Sequence, residues 1–530
     1  MKSLIKIDRM FISASSKIER IFDPLFRSSD PLCKMLFDFI QSSLDASTFS
    51  AILAATVILL TTAYCFMRDR GLPPGPTGVP VLGIYPFLKD ENLHLQLDEY
   101  VKKYGDLSCF RLVGRLFLNL GSMKVIREAH VTNSEYFAGR YTDFNMLNFT
   151  FSGGVAFING EPWKVLRKFF FQTFKDIGMT SSLKDNTSGP MYDTLNSLIV
   201  DLRNLNGLPV NIIEILNEKC SNVLRRILFG ENGITEQQMR NVIEPYGVLL
   251  EATYGTNLLL TGVLAERLIF RFKRGYGQIV KNQKLMEDAV YEIIDEHEKT
   301  FNEDHVRNIV DAYLKERNER RRRGDPTAEY FTRKALMGSL TQFIGDGILS
   351  VVHFIGIFFI ALIKYPEEQD KIYEEILDVV GPDREPTLED KSNLPYTNAF
   401  IFEIMRMSDF FPFFPSLVCT KETTIRGYRI PEGTVTVMNV WSAQHDPKVY
   451  EDPYKFDPYR YIARAETTRP DLPLVFGVGK RACMGEAFSM METFLFLTTV
   501  VKNFRLILPE GEKYDSSLFT MKLKCCAKPR

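Results

Sequence analysis

The sequence predicts a mostly α-helical protein with small β-sheets, built as one large domain behind an apolar N-terminal segment. Three observations predict it. From about Gly160 onward, apolar residues recur at the three-to-four spacing of an amphipathic helix, over 161–177, 209–229, 236–254, 262–300, 306–322 and 334–364. Two regions, Gly83 to Gly121 and the stretch from Thr423, instead show short apolar runs broken by turn residues. From about Leu72 to the end no low-complexity stretch and no internal repeat interrupts the chain.

Taken in order, residues 1–48 carry seven Lys/Arg and six Asp/Glu among apolar residues at helical spacing, such as Ile18, Ile21, Phe22, Leu25 and Phe26. An interfacial amphipathic helix and a disordered tail both fit. The acidic residues argue against a mitochondrial presequence. Phe49 to Met67 holds 19 uncharged residues, just long enough to cross a bilayer as a helix, and reads as a transmembrane anchor, with a buried core helix as the competing reading. Arg68 and Arg70 follow, then Leu72-Pro-Pro-Gly-Pro76, so 68–80 reads as a stiff Pro-rich hinge. Residues 81–530 form the main domain. Its first β-rich region includes Ser108–Val113 and Arg115–Ser122, its second begins at Thr423, and the last twenty residues also read as strand. Arg320–Arg323, just before Gly324-Asp325-Pro326, reads as a solvated helix end rather than a docking patch.

A net charge of −1 leaves no basic footprint for nucleic acid. Eight cysteines are scattered with no CxxC and no Cys/His zinc spacing, which excludes a disulfide framework and points to a reducing compartment.

The most specific motif is Phe476-Gly-Val-Gly-Lys-Arg-Ala-Cys-Met-Gly485, or F-x-x-G-x-R-x-C-x-G, with Cys483 its one potential metal ligand. Glycines 477, 479 and 485 let backbone lie close to a flat ligand. A helix beginning near Cys483 would point N–H groups at the sulfur and favour thiolate. This run resembles the haem-binding loop of the cytochrome P450 family. The resemblance implies that Cys483 ligates the iron of haem b (iron protoporphyrin IX), with Phe476, Arg481 and Gly485 around it.

Other residues carry the resemblance further. Glu403 and Arg406 form an ExxR pair on one helix face, 80 residues before Cys483, with Arg460 between. In the family these three make a structural ionic lock. Trp163 and Arg167 form W-x-x-x-R, which in the family meets a haem propionate. His445 reads as structural, because the iron already has its ligand; His353, within an apolar helix, reads as a packed core histidine, with a pocket role as its alternative.

Two departures stand out. Where the family places a small residue, Gly, any residue, an acid and Thr over the haem, this chain has Asp346-Gly347-Ile348-Leu349-Ser350. Leu349 cannot act as an acid, whereas Ser350 keeps a hydroxyl. Asp346 lies four residues earlier on the same face and is the candidate substitute acid, with helix bending beside Gly345 and Gly347 as its alternative role. The second departure is Cys419, near a position where many relatives place His or Arg against a propionate. The aromatic run Phe410–Phe414 borders the substrate in the family and implies a flat, apolar, lipid-like or ring-shaped substrate.

The resemblance covers about residues 70–530 and implies a microsomal haem-thiolate monooxygenase of the clan with animal steroid and xenobiotic hydroxylases. Its expected setting is the endoplasmic reticulum membrane, with the catalytic domain cytosolic. Its expected partners are an NADPH-cytochrome P450 reductase, O2 and an apolar substrate. Lys164, Lys168, Lys175 and Lys480 would form the docking face for the reductase. The loss of the acid at 349 leaves two alternatives: a reductase-independent isomerase or dehydratase on the same fold, and a non-catalytic haem-binding protein.

Overall fold

The structure is a computed structural model that describes residues 51, 52, 54–56, 59, 70–151, 153–179, 189–409, 411–462, 470–512 and 523–530. The chain divides into two units, Met1–Gly71 and Leu72–Arg530. The amphipathic helix and the disordered tail considered for residues 1–48 lie outside the described residues. Of 49–67, six residues between Ala51 and Leu59 are described, and they are helical.

The second unit begins with the proline run docked on a strand. The Cys109 N–H donates to the Pro74 carbonyl at 2.9 Å, and its thiol donates to that of Pro73 at 2.9 Å. Helix α1 (Leu93–Tyr104) follows, then strands β1 (Leu107–Leu112) and β2 (Arg115–Leu120). The region read as β-rich thus holds both strands and also a 12-residue helix, whose Leu93 and Leu97 bury against the sheet core.

The helical body comprises α2 (Gly160–Asp176), α3 (Pro190–Asn204), α4 (Ile212–Phe229), α5 (Glu236–Ala252), α6 (Tyr276–Lys299) and α7 (Ile309–Arg322). The single helix expected over 262–300 is broken. A short helix ends at Leu268, and α6 restarts only after Gly275, whose φ of +92° no continuing helix can hold. The end of α7 is a solvated helix terminus, with Arg320, Arg322 and Arg323 paired to Glu316, Glu303 and Glu319.

The longest helix runs from Arg333 to Lys364 as α8 (Arg333–Gly345), a π turn (Asp346–Ser350) and α9 (Val351–Lys364). Among the described residues it is the one helix long and apolar enough to cross a membrane. Two thirds of its most apolar stretch, 67%, is buried inside the protein, so it is the core helix of this unit. Helices α10 (Pro366–Val380), α11 (Pro395–Met407) and α12 (Glu486–Asn503) pack around it.

Among the described residues, three small sheets flank the helices. The largest has the order β1-β2-β7-β4, with β4 at Phe414–Val418 and β7 at Val435–Met438; β2 and β7 pair in parallel, the others antiparallel. A hairpin joins β5 (Thr423–Ile425) and β6 (Tyr428–Ile430). The third sheet joins β3 (Val210–Asn211), β8 (Phe504–Ile507) and β9 (Lys524–Pro529) in the order β3-β9-β8. One hydrophobic cluster fills the helical body, and two smaller ones lie beneath the large sheet.

Candidate active site

Glu403 and Arg406 are both fully buried on α11, where unpaired charge would be very costly. They form a two-pronged pair, with Arg406 Nε and Nη2 each 2.8 Å from a Glu403 oxygen. Arg406 Nη1 donates to the carbonyls of Gln444 and Pro453 at 2.9 and 2.7 Å. The Arg460 guanidinium lies 3.5 Å from Glu403, and the Asp457 N–H donates to the same carboxylate at 2.9 Å. The three residues thus tie α11 to the chain that leads into the Cys483 loop. His445 stacks on Trp441, and burial lowers its pKa to about 4, so it is a neutral packing residue.

The loop itself is held by backbone. The Cys483 N–H donates to the Phe476 carbonyl at 2.9 Å. Gly477 and Gly479 take φ of +71° and +81°. A Cβ on Gly479 would lie 2.0 Å from the His130 carbonyl oxygen, so only glycine fits there. Gly485 differs from the other two: its φ is −91°, and a Cβ would meet only the Cys483 sulfur, at 3.9 Å. It serves as the N-cap of α12.

Asp346, Ser350, Trp163, Arg167, Phe476, Arg481, Cys483 and Gly485 all line one cavity of about 510 Å³. Cys483 is accessible from this cavity and enclosed by protein elsewhere. Burial pushes its thiol up to about 11, although the Gly485 N–H and Arg167 pull the other way. The Gly485 N–H at the start of α12 thus acts toward thiolate, the direction read from the sequence, against the effect of burial. A metal ion bound at the sulfur would displace the thiol proton.

Three guanidiniums gather beside the loop. Arg481 lies 3.7 Å over the Trp163 ring and donates to the carbonyls of Ala138 and Ile158 at 2.9 and 2.8 Å. Arg167 donates to the Ala482 carbonyl at 2.6 Å. Arg140, which sequence reasoning missed, donates to the Ala156 carbonyl at 2.8 Å and also lines the cavity. Burial lowers Arg481 to about 8, and Arg140 and Arg167 add repulsion; burial likewise lowers Arg140 to about 10. Arg481 Nη1 and Trp163 Nε1 are buried donors with no hydrogen-bond partner. Such a cluster fits an anion with acceptor oxygens, and the two carboxylates of haem b supply them. Cys419 lies outside the cavity lining, and its thiol donates to the Lys421 carbonyl at 3.0 Å.

Opposite the loop, the long helix presents Asp346 and Ser350 to the cavity, while Leu349 turns into the core at 3% exposure. Burial raises the Asp346 carboxyl to about 6, and the Tyr246 hydroxyl, which donates to it, works against the rise. His353 also lines the cavity; its Nδ1 bonds the Leu349 carbonyl at 2.6 Å, and burial lowers its pKa. Gln342, one turn before Asp346, accepts from the Ala156 N–H at 3.1 Å and leaves its own amide nitrogen buried without a partner. Its spacing of four from Asp346 is the signal that would have found it. Phe411, Phe413 and Phe414 form part of the apolar wall.

A lone cysteine at an apolar cavity, faced by a polar patch on a long helix and flanked by guanidiniums, defines a haem-thiolate site. The cytochrome P450 family profile matches residues 73–529. Cytochrome P450 2A9 of Mesocricetus auratus is 31% identical over 482 residues, covering 88% of this chain and 94% of that protein. Cytochrome P450 2C7 of Rattus norvegicus is 30% identical over 465 residues, covering 87% and 94%, and cytochrome P450 2J1 of Oryctolagus cuniculus is 28% identical over 504, covering 92% and 99%. The chain belongs to the cytochrome P450 family. It is an oxidoreductase, a haem-thiolate monooxygenase that carries haem b.

Proposed function

We propose that this protein inserts one atom of O2 into an apolar, lipid- or steroid-like substrate, with electrons drawn from NADPH through a membrane-bound reductase. It associates with the endoplasmic reticulum membrane and keeps its catalytic domain in the cytosol. The observation that carries the substrate class is the cavity wall, where Phe151, Phe157, Phe343, Phe411, Phe413 and Phe414 offer flat apolar surface close to Cys483.

In this reading Cys483 is the iron ligand, and the bound haem supplies the activation of oxygen. Arg140, Arg167, Arg481 and the Trp163 N–H hold its carboxylates. Phe476 packs edge-on against Phe354 of α9 with centroids 5.6 Å apart, which sets the loop against the long helix. Asp346 supplies protons in the cavity. A carboxyl near 6 exchanges its proton readily at neutral pH, and the Ser350 hydroxyl, further along the same wall, can pass one on.

The test is a carbon-monoxide difference spectrum of the purified protein, reduced once with dithionite and once with NADPH plus reductase. A thiolate-type band under both conditions is expected. A band with dithionite alone would refute reductase-supported chemistry, and none at all in haem-loaded protein would refute Cys483 as ligand. For the acid, Asp346→Asn is expected to lower product formed per NADPH consumed by about tenfold or more.

A further inference from the structure

Helix α5 and the long helix meet at a hydrogen bond that joins residues 100 positions apart. Tyr246 is 1% exposed, and its hydroxyl donates to the Asp346 carboxylate. Its ring lies directly over the backbone at Gly345, where a Cβ would come within 2.2 Å of two ring carbons. The ring also stacks on Phe151, with centroids 4.5 Å apart and planes at 28°. Asp346 itself opens the π turn, and such turns re-aim side chains near functional sites. Leu349, where an acid was expected, sits 3.7 Å from the Cβ position of Gly247, the neighbour of Tyr246. The glycine at 345, the π turn and the tyrosine all serve one arrangement: a carboxyl held at the cavity wall.

We propose that Tyr246 is a positioning residue for proton supply, its hydroxyl holding the Asp346 carboxyl in one orientation toward the cavity. This rests on the reading that Asp346 supplies protons. Asp346 gives up its carboxyl proton to oxygen being reduced and recovers one from cavity water. Tyr246 keeps its own proton, because burial and the adjacent carboxylate hold the phenol well above its ordinary pKa.

The test needs no substrate. Full-length holoenzyme with reductase and NADPH reduces O2 either to hydrogen peroxide, with two electrons and two protons, or to two waters, with four of each. The ratio of water to peroxide is measured for wild type, Tyr246→Phe, Asp346→Asn and the double variant, with haem content and thermal midpoint as controls. Tyr246→Phe is expected to lower the ratio about threefold or more. Asp346→Asn should lower it at least as far, and the double variant no further. Asp346→Glu, which keeps the carboxyl but displaces it, should behave like Tyr246→Phe.

Independently of turnover, the infrared C=O band of the protonated Asp346 carboxyl, identified by its loss in Asp346→Asn, should shift in Tyr246→Phe. An unchanged ratio and an unmoved band in Tyr246→Phe, with a changed ratio in Asp346→Asn, would overturn the role of Tyr246 alone. Additive effects in the double variant, or a wild-type ratio in Asp346→Glu, would overturn it as well. An unchanged ratio in Asp346→Asn would overturn the preceding reading of the acid itself.

Discussion

Arg140 makes the residue scale concrete, because its weight comes from company rather than from its own contacts. With Arg167 and Arg481 it crowds positive charge at one end of the cavity, and an anion relieves that repulsion. Arg140→Leu is expected to release haem about tenfold faster in a transfer assay to an acceptor apoprotein, since a charge-assisted hydrogen bond contributes roughly 1.5–3 kcal/mol. Asp346 gives a pH prediction. Its carboxyl is raised by burial to about 6, so the folded state keeps a proton that the unfolded chain has lost. Its contribution to stability is full below about pH 4 and disappears as pH rises through about 6. Asp346→Asn should therefore gain on wild type in denaturant unfolding between pH 5 and pH 7.5, by about 1.4 kcal/mol. At this scale the sequence disclosed what is contiguous. The Cys483 loop compresses its chemistry into ten residues, and Asp346 and Ser350 share a helix face. Arg140 and Tyr246 stayed hidden because their meaning depends on Arg481 and Asp346, which only the fold brings near.

Among the elements, the lock on α11 matters most. Glu403, Arg406 and Arg460 hold together α11 and the turn at Pro458–Tyr461. Glu403→Gln leaves Arg406 buried with only neutral partners, and a broken buried pair costs about 3–5 kcal/mol. The expected result is a lower denaturation midpoint together with less bound haem per chain, read from absorbance at matched protein concentration. Helices with a clean 3.6-residue stripe, such as α2, α4 and α5, were legible from periodicity. The helix expected over 262–300 was too long because amphipathic spacing continues on both sides of Gly275, and spacing carries no sign of φ. Helix α1 was missed because it is short and sits between turn-rich runs that resemble strand punctuation.

For the whole molecule, Lys164, Lys168, Lys175 and Lys480 are each exposed. As a docking face for an acidic partner they would act over about 8 Å at physiological ionic strength. Reductase-supported NADPH consumption is expected to fall as salt rises from 50 to 300 mM on the order of several-fold. Lys168→Glu with Lys480→Glu should raise the KM for reductase and flatten that salt response, measured by titrating reductase at each ionic strength. Family and layout were legible because the landmarks lie in fixed order along the chain.

The docked proline run has a consequence for handling the protein. β1 is the outer strand of its sheet, and its far side is covered by the segment from Pro73 to Ile84, through bonds such as Cys109 to Pro74 and Ile84 to Arg111. Gly75 fits only because it has no Cβ, which would fall 1.6 Å from the Cys109 carbonyl oxygen. Trimming the chain as far as Leu72 leaves this cover in place. Trimming past Gly75 removes the acceptors of the Cys109 N–H and thiol and opens that part of β1, and an uncovered edge strand recruits another copy. The shorter protein would be lost as aggregate before any question of catalysis arose.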